Sequence, residues 1–203
     1  KKEIDILIGT QMITKGHDYP DLTLVGILAA DLSLSLPDFR GAERNFQTLM
    51  QVAGRAGRAQ HPGTVIMQTY QPEHYSIQRA KDQDYFQFYQ EEIVFRKELN
   101  YPPFGRLIHL KITGPQPQGI PRTASHIAKH LKNHCPQDLI TILGPAPCPL
   151  ERLRGQTRWQ ILLKTRNYPK LKPFLKESLD AVSASIVPSH TKVIVDVDPI
   201  HML

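Results

Sequence analysis

Two arginines, Arg55 and Arg58, stand three residues apart in "LMQVAGRAGRAQ" (49–60), each preceded by a glycine, Gly54 and Gly57. A guanidinium is planar, permanently charged and able to grip phosphate oxygens with two parallel N–H donors. Two of them on one rigid element suit phosphoryl transfer, in which charge on the equatorial oxygens must be stabilised. The glycines leave room for a backbone that turns sharply or approaches another surface closely. Spacing alone equally suits two surface arginines with no ligand.

A second basic group lies further on. Arg152, Arg154 and Arg158 fall in and after the proline-rich "LGPAPCPLERLRGQ", with Trp159 and Gln160 adjacent, and Lys164, Arg166, Lys170, Lys172 and Lys176 follow. Lysines and arginines gathered on one face would neutralise phosphates and release counterions, so that affinity falls steeply with salt. Trp159 either stacks on an unpaired base or, as the only Trp in an alternating strand, packs in a core. Asp196, Asp198 and His201 in "DVDPIHML" are explained by a turn after a strand, and no metal site is expected there. Two cysteines, Cys135 and Cys148, make neither a four-ligand zinc site nor a disulfide scaffold, and are read as unpaired thiols of a reducing compartment.

These residues need elements to hold them. Ile4, Ile6 and Ile8 in "KKEIDILIGT" predict a buried strand, "DLTLVGILAAD" (21–31) a second and "GTVIMQTY" (63–70) a third. Between the last two, 41–54 reads as a helix with Phe46, Leu49, Met50 and Ala53 at helical spacing. Strands alternating with helices imply a parallel sheet whose functional loops, including "GTQMITKGHDYP" and Asp31, sit at the carboxyl ends of the strands. The stretch 74–99 is helical, and its stripe of Tyr85, Tyr89 and Ile93, with Phe88, Phe95 and Leu99 nearby, is expected to pack in a core rather than to stack bases. "NYPPFG" (100–105) ends that helix and marks a boundary. Beyond it the pattern gives strand 106–113, helix 121–134, strand 139–143, the proline-rich loop, strand 158–165, helix 168–186 and strand 192–197, a small α+β fold. The divisions expected are 1–76, a helical connector 77–104, and 105–203.

Charge divides along the same line. Residues 1–104 carry 11 Lys+Arg against 13 Asp+Glu, and residues 105–203 carry 14 against 6. A near-neutral front and a basic back suggest two modules, the second meeting a polyanion. No apolar run approaches the roughly 18 residues of a membrane helix. A cytoplasmic, nucleoid-associated protein without a membrane partner is the expectation.

The motifs carry a resemblance. "QVAGRAGR" (51–58) is similar to motif VI of superfamily 2 helicases, Q-x-x-G-R-x-G-R, and "GTQMITKGHDYPD" (9–21) resembles their motif V, in order and about 40 residues apart. The wording "ILIGTQMITKGHDYPDLTLVGILAAD", "DFRGAER", "LNYPPF", "LGPAP", "RWQILLK" and "VDVDP" resembles the replication-restart DNA helicases over essentially the whole chain.

That resemblance implies an α/β fold: residues 1–76 as the later half of the second RecA-like motor lobe, and 105–203 as the family's C-terminal domain. It implies ATP, with magnesium, bound between two lobes. Gln51 would lie near the terminal phosphate, Arg58 would be the arginine finger and Arg55 the second phosphate contact. In motif V, Gly9 and Thr10 open a loop that Lys15, Gly16 and His17 continue, linking nucleotide to DNA; Asp18 holds the acidic position, bonding the ribose or a motif VI arginine. For His17 and Asp18 a hydrogen bond within the loop is the alternative. Forked and single-stranded DNA, single-strand DNA-binding protein and other primosome proteins are the implied partners, with Arg158 and Gln160 in the segment expected to meet the acidic tail of single-strand DNA-binding protein. The chain departs from the family's pattern just before Trp159, reading "GQT" where more arginine is usual. The sequence contains no G-x-x-x-x-G-K-[ST] phosphate loop and no paired C-x-x-C. The chain by itself is therefore expected not to hydrolyse ATP, and the family's zinc module is expected upstream. A DNA-structure binding and protein-loading platform, independent of ATP hydrolysis, is the rival reading.

Overall fold

The computed structural model describes residues 4–10, 22–56, 63–136, 138–185 and 187–202, and the chain divides into two compact units, residues 1–92 and 93–203.

In the first unit β1 (Leu24–Ile27) and β2 (Thr64–Met67) pair in parallel, Leu24 opposite Thr64 and Ile27 opposite Met67. Helix α1 (Gly41–Ala53) lies between them in sequence, as parallel strands require of their crossover. Its buried positions, Gly41, Asn45, Phe46 and Leu49, share one face. Phe46 is only 3% exposed and stacks on Phe88, with ring centroids 4.2 Å apart and planes 8° apart. Leu49, Ile77, Ala80 and Ala30 complete this core. Asn45 is buried without penalty because its amide is matched on both sides, accepting from Ser33 Oγ at 2.8 Å and donating to Ser76 Oγ at 3.1 Å.

Two expectations fail along this part of the chain. Residues 4–8 form no strand, and Ile8 is 88% exposed. The alternation is present, but a strand needs a neighbour for its backbone groups, and among the described residues this sheet consists of β1 and β2. The continuous helix expected over 74–99 is two helices, α2 (Tyr75–Lys81) and α3 (Tyr85–Glu98). Gln83 takes a left-handed φ of 55°, and the Asp84 carboxylate accepts from the Gln87 N–H at 2.9 Å, starting a new helix. The aromatic stripe does not pack as a whole either: Phe88 is buried, whereas Tyr85, Phe86, Tyr89, Phe95 and Leu99 are exposed. The apolar residues of α3 are spread around the helix, so no single face can bury them.

In the second unit an antiparallel sheet has the order β4-β5-β3-β6, built from β3 (Arg106–Gly114), β4 (Thr141–Leu153), β5 (Gln156–Thr165) and β6 (Lys192–Val197). Helices α4 (Gly119–His134) and α5 (Tyr168–Ser185) supply the other layer. Ile108, Leu110 and Ile112 of β3 and Ile161 and Leu163 of β5 meet Ile120, Ile127 and Leu131 of α4 and Leu171 and Leu175 of α5 in the core. Period-two alternation in β3 and β5 is what places these residues on one face. The turn joining β4 to β5 has two residues, Arg154 (φ 51°) and Gly155 (φ 76°), the double left-handed conformation favoured in tight hairpins.

The proline-rich segment, expected as a loop, lies within β4. β4 is an edge strand, so the missing N–H groups of Pro145, Pro147 and Pro149 need not deprive a neighbour on the outer side. Register shifts between Leu143 and Ala146 and between Pro147 and Arg152 absorb the misfit.

Candidate functional site

In the first unit, motif VI begins on α1. Gln51 is exposed near its end, and Arg55 follows one turn later, half-buried, with its N–H bonded to Val52 O at 3.0 Å. Gln51 leaves the last turn of α1, and Arg55 leaves the turn that follows its C-cap, Gly54. A helix C-terminus carries partial negative charge, which opposes a phosphate; the permanent charge of arginine is what could hold one there. Gly54 is not required here for an unusual backbone conformation. Its φ is −66°, available to any residue, and a Cβ would meet Met50 O at 3.4 Å, an ordinary contact. Gly9 and Thr10 are exposed and outside regular structure. Arg58, Lys15, Gly16, His17 and Asp18 lie outside the described residues.

Asp31, at the carboxyl end of β1, is a buried carboxylate committed to structure. It accepts from Tyr70 N at 2.7 Å and Thr69 Oγ1 at 3.0 Å, tying the end of β1 to the residues that follow β2. Burial pushes this carboxyl up, but the hydrogen bonds from Tyr70, Thr69 and Gln71 outweigh it and hold it below the usual range. In "DFRGAER", Asp38 pairs with Arg44 at 2.7 Å and accepts from the Arg40 N–H at 3.0 Å, fixing the entry to α1.

In the second unit the residues singled out from sequence separate by depth. Arg152 and Arg154 are exposed at the β4–β5 hairpin. Arg158 and Gln160 are buried and hold the proline segment, Arg158 Nη1 donating to Leu150 O at 3.4 Å and Gln160 Nε2 to Pro147 O at 3.3 Å. Trp159 packs on the core side, as the second of its two readings has it. Lys164 donates to Leu99 O at 2.9 Å and sits 4.7 Å from the centre of the Tyr101 ring, while Arg166 Nε donates to Asn100 Oδ1 at 2.7 Å; together they pin the "LNYPPF" segment to β5 and the residue after it. Asp198 accepts from the Leu107 N–H at 3.1 Å and pairs with Arg106, so the acid after β6 serves a turn.

Sequence reasoning missed the polar row on the sheet face opposite the core. His109 and Lys111 alternate with the core residues of β3, with Asp196 opposite His109 and Gln160 opposite Lys111. The signal was the period of "RLIHLKITG", where His109 and Lys111 interrupt an apolar run at every second place. His109 is 1% exposed, and its Nε2 meets no hydrogen-bonding partner among the described residues. Burial lowers its pKa, helped by Lys111 and Arg158 and opposed by Gln160 and Asp196. Cys148 is buried too, and burial pushes its thiol up. Among the described residues no helix is long and apolar enough to cross a membrane.

Residues 1–60 match the family described as helicase conserved C-terminal domain, and residues 97–200 match the primosomal protein N C-terminal domain. The chain is 44% identical to the "Replication restart protein PriA" of Bacillus subtilis (strain 168) over 199 residues, 98% of this chain and 25% of that protein. It is 45% identical over 199 residues to the protein of that name from Synechocystis sp., covering 98% of this chain and 23% of that one, and 40% identical over 201 residues to that of Treponema pallidum, covering 99% and 30%. The chain thus spans about a quarter of the length of the curated relatives it matches. With helicase sequence in front and a primosomal C-terminal domain behind, matched along nearly its full length, the chain belongs to the PriA family.

Proposed function

We propose that this chain is the C-terminal part of an ATP-dependent 3′-to-5′ DNA helicase that recognises forked DNA and restarts replication by assembling a primosome. The observation that carries the reading is the succession, in one chain, of a helicase C-terminal domain over 1–60 and a primosomal C-terminal domain over 97–200.

The donor set at the end of α1 suits a nucleotide phosphate. Gln51 and Arg55 offer a carboxamide and a guanidinium, and Arg58 supplies the second guanidinium by motif. Arg58 acts as the finger, Arg55 as the second phosphate contact, and Gln51 orients near the terminal phosphate. Gly9, Thr10, Lys15, Gly16, His17 and Asp18 couple that site to the DNA strand. Bound magnesium would neutralise phosphate charge; no residue of this chain is assigned to hold it, and Asp31 already accepts from both Thr69 and Tyr70 through its Oδ2. The phosphate loop comes from another part of the protein, so the chain alone does not hydrolyse ATP. Zinc, where the full protein holds it, belongs to a module outside this chain.

The basic second unit takes the DNA branch and protein partners, among them single-strand DNA-binding protein. Exposed Arg152 and Arg154 are the first surface to meet a phosphate or an acidic tail, and Arg158 and Gln160 support the segment that presents them.

The test is DNA-stimulated ATP hydrolysis by the complete protein, wild type against Arg58→Ala, with binding to a forked duplex followed in parallel. An arginine finger is worth about 10³ to 10⁵ in rate. A loss of that size with fork binding retained supports the motor reading. Unchanged hydrolysis makes Arg58 structural and favours the loading-platform reading.

A further inference from the structure

His126, His130 and His134 recur every fourth residue along α4 and take no part in the helicase reading. Such spacing sets side chains one above the next on a single helix face. His134 is exposed and His130 half-buried, and their rings stack with centroids 4.2 Å apart and planes 24° apart. His134 Nδ1 donates to the backbone carbonyl of His130 at 2.9 Å. A carbonyl only accepts, so the proton lies on Nδ1 and the neutral ring keeps its lone pair on Nε2. Proteins fix the tautomer and orientation of metal-binding histidines with this kind of bond.

We infer that His130 and His134 form a two-point site for a borderline divalent transition-metal ion of the zinc or nickel type. Imidazole nitrogens suit such ions, whereas hard cations such as magnesium prefer oxygen. Two nitrogens on one tetrahedral zinc, each at 2.0–2.1 Å, stand about 3.3 Å apart with their lone pairs converging. The two rings must therefore turn out of their stack about the side-chain torsions to share one ion, a reach that the four-residue helical spacing allows. Cys135, next along the chain, is not a third ligand. Its thiol is committed to the backbone, donating to Pro136 O at 3.3 Å. Among the described residues no group of three or more His, Cys, Asp or Glu is placed to hold an ion. The remaining coordination positions are therefore open to water or to another molecule, and binding is exchangeable, unlike that of a closed structural site.

The experiment is calorimetric titration of ZnCl₂, with MgCl₂ as the control, into the 203-residue chain and into His130→Gln, His134→Gln and His126→Gln variants, with circular dichroism to verify the helix. Two-point attachment becomes one-point in either of the first two variants, so zinc affinity drops by about tenfold or more in both and stays within about threefold in His126→Gln. Magnesium gives no binding heat. Equal zinc affinity in all four proteins, an equal loss in His126→Gln, or no zinc binding by the wild type would each overturn the site.

Discussion

Phe46 offers a direct test of how α1, the carrier of Gln51, is held in place. Its ring is 3% exposed and stacked on Phe88, in a cluster that shares no residue with the core of the second unit. Phe46→Ala removes the buried ring and leaves a cavity, at a cost of about 3–5 kcal/mol. Part of that cost is the stacked pair itself, worth about 0.5–1.5 kcal/mol beyond its buried area. With a urea slope of about 2 kcal/mol per molar, the unfolding midpoint of the first unit falls by roughly 2 M. Two probes separate the units. Trp159 is the only tryptophan in the chain and packs in the second unit's core, so its fluorescence reports that unit, while far-ultraviolet circular dichroism reports both. The expected result is an early loss of helical signal in Phe46→Ala with the Trp159 midpoint unmoved. A Trp159 midpoint that falls in step with the helical signal would refute the assignment of Phe46 to a core private to the first unit.

Glycine substitutions should divide sharply. A Cβ at Gly105 would stand 2.7 Å from Asn100 O and 3.2 Å from Thr165 O, so Gly105→Ala is expected to cost about 1–3 kcal/mol, read as a fall in the Trp159 midpoint. Gly54→Ala meets only an ordinary contact at φ −66° and should be neutral or stabilise the helical transition by up to about 1 kcal/mol. Acidification should weaken the second unit through His109. Because its folded pKa lies below the unfolded value of 6.5, the unfolded chain binds the proton more readily; stability is full above that value and declines as pH falls through it toward the folded pKa. His109→Gln should flatten that part of the pH profile of the Trp159 midpoint. Asp31 has a lowered pKa, so its contribution is present above the ordinary carboxylate range and is lost as pH falls through the folded value; Asp31→Ala should lower the helical midpoint at neutral pH and remove that dependence.

Local pattern was enough for much of this protein. Period two in "RLIHLKITG" and "RWQILLK", and the spacing of Phe46 and Leu49, assign strands and helix from residues within a few positions of one another, and the motif order about Gln51 and Arg55 pointed to the family without a structure. The helix break at Asp82–Asp84 was also written locally, in a capping acid that the apolar stripe on either side obscured.

Other features depend on what lies across space. Whether Ile4, Ile6 and Ile8 form a strand depends on a partner that no property of those residues supplies. Whether a run of prolines is a loop or a strand depends on its place in the sheet, since only an edge tolerates the missing donors. Arg158 and Gln160 look in sequence like exposed contacts beside a tryptophan; the sheet turns them under the β4 segment, where their donors meet Leu150 and Pro147 carbonyls. Sequence by itself determined the family and most of the helices and strands, because these are carried by residue type and short-range period. Tertiary structure alone decided which polar groups are spent on holding the fold and which remain at the surface, because burial and hydrogen-bond partnership arise between segments far apart in the chain.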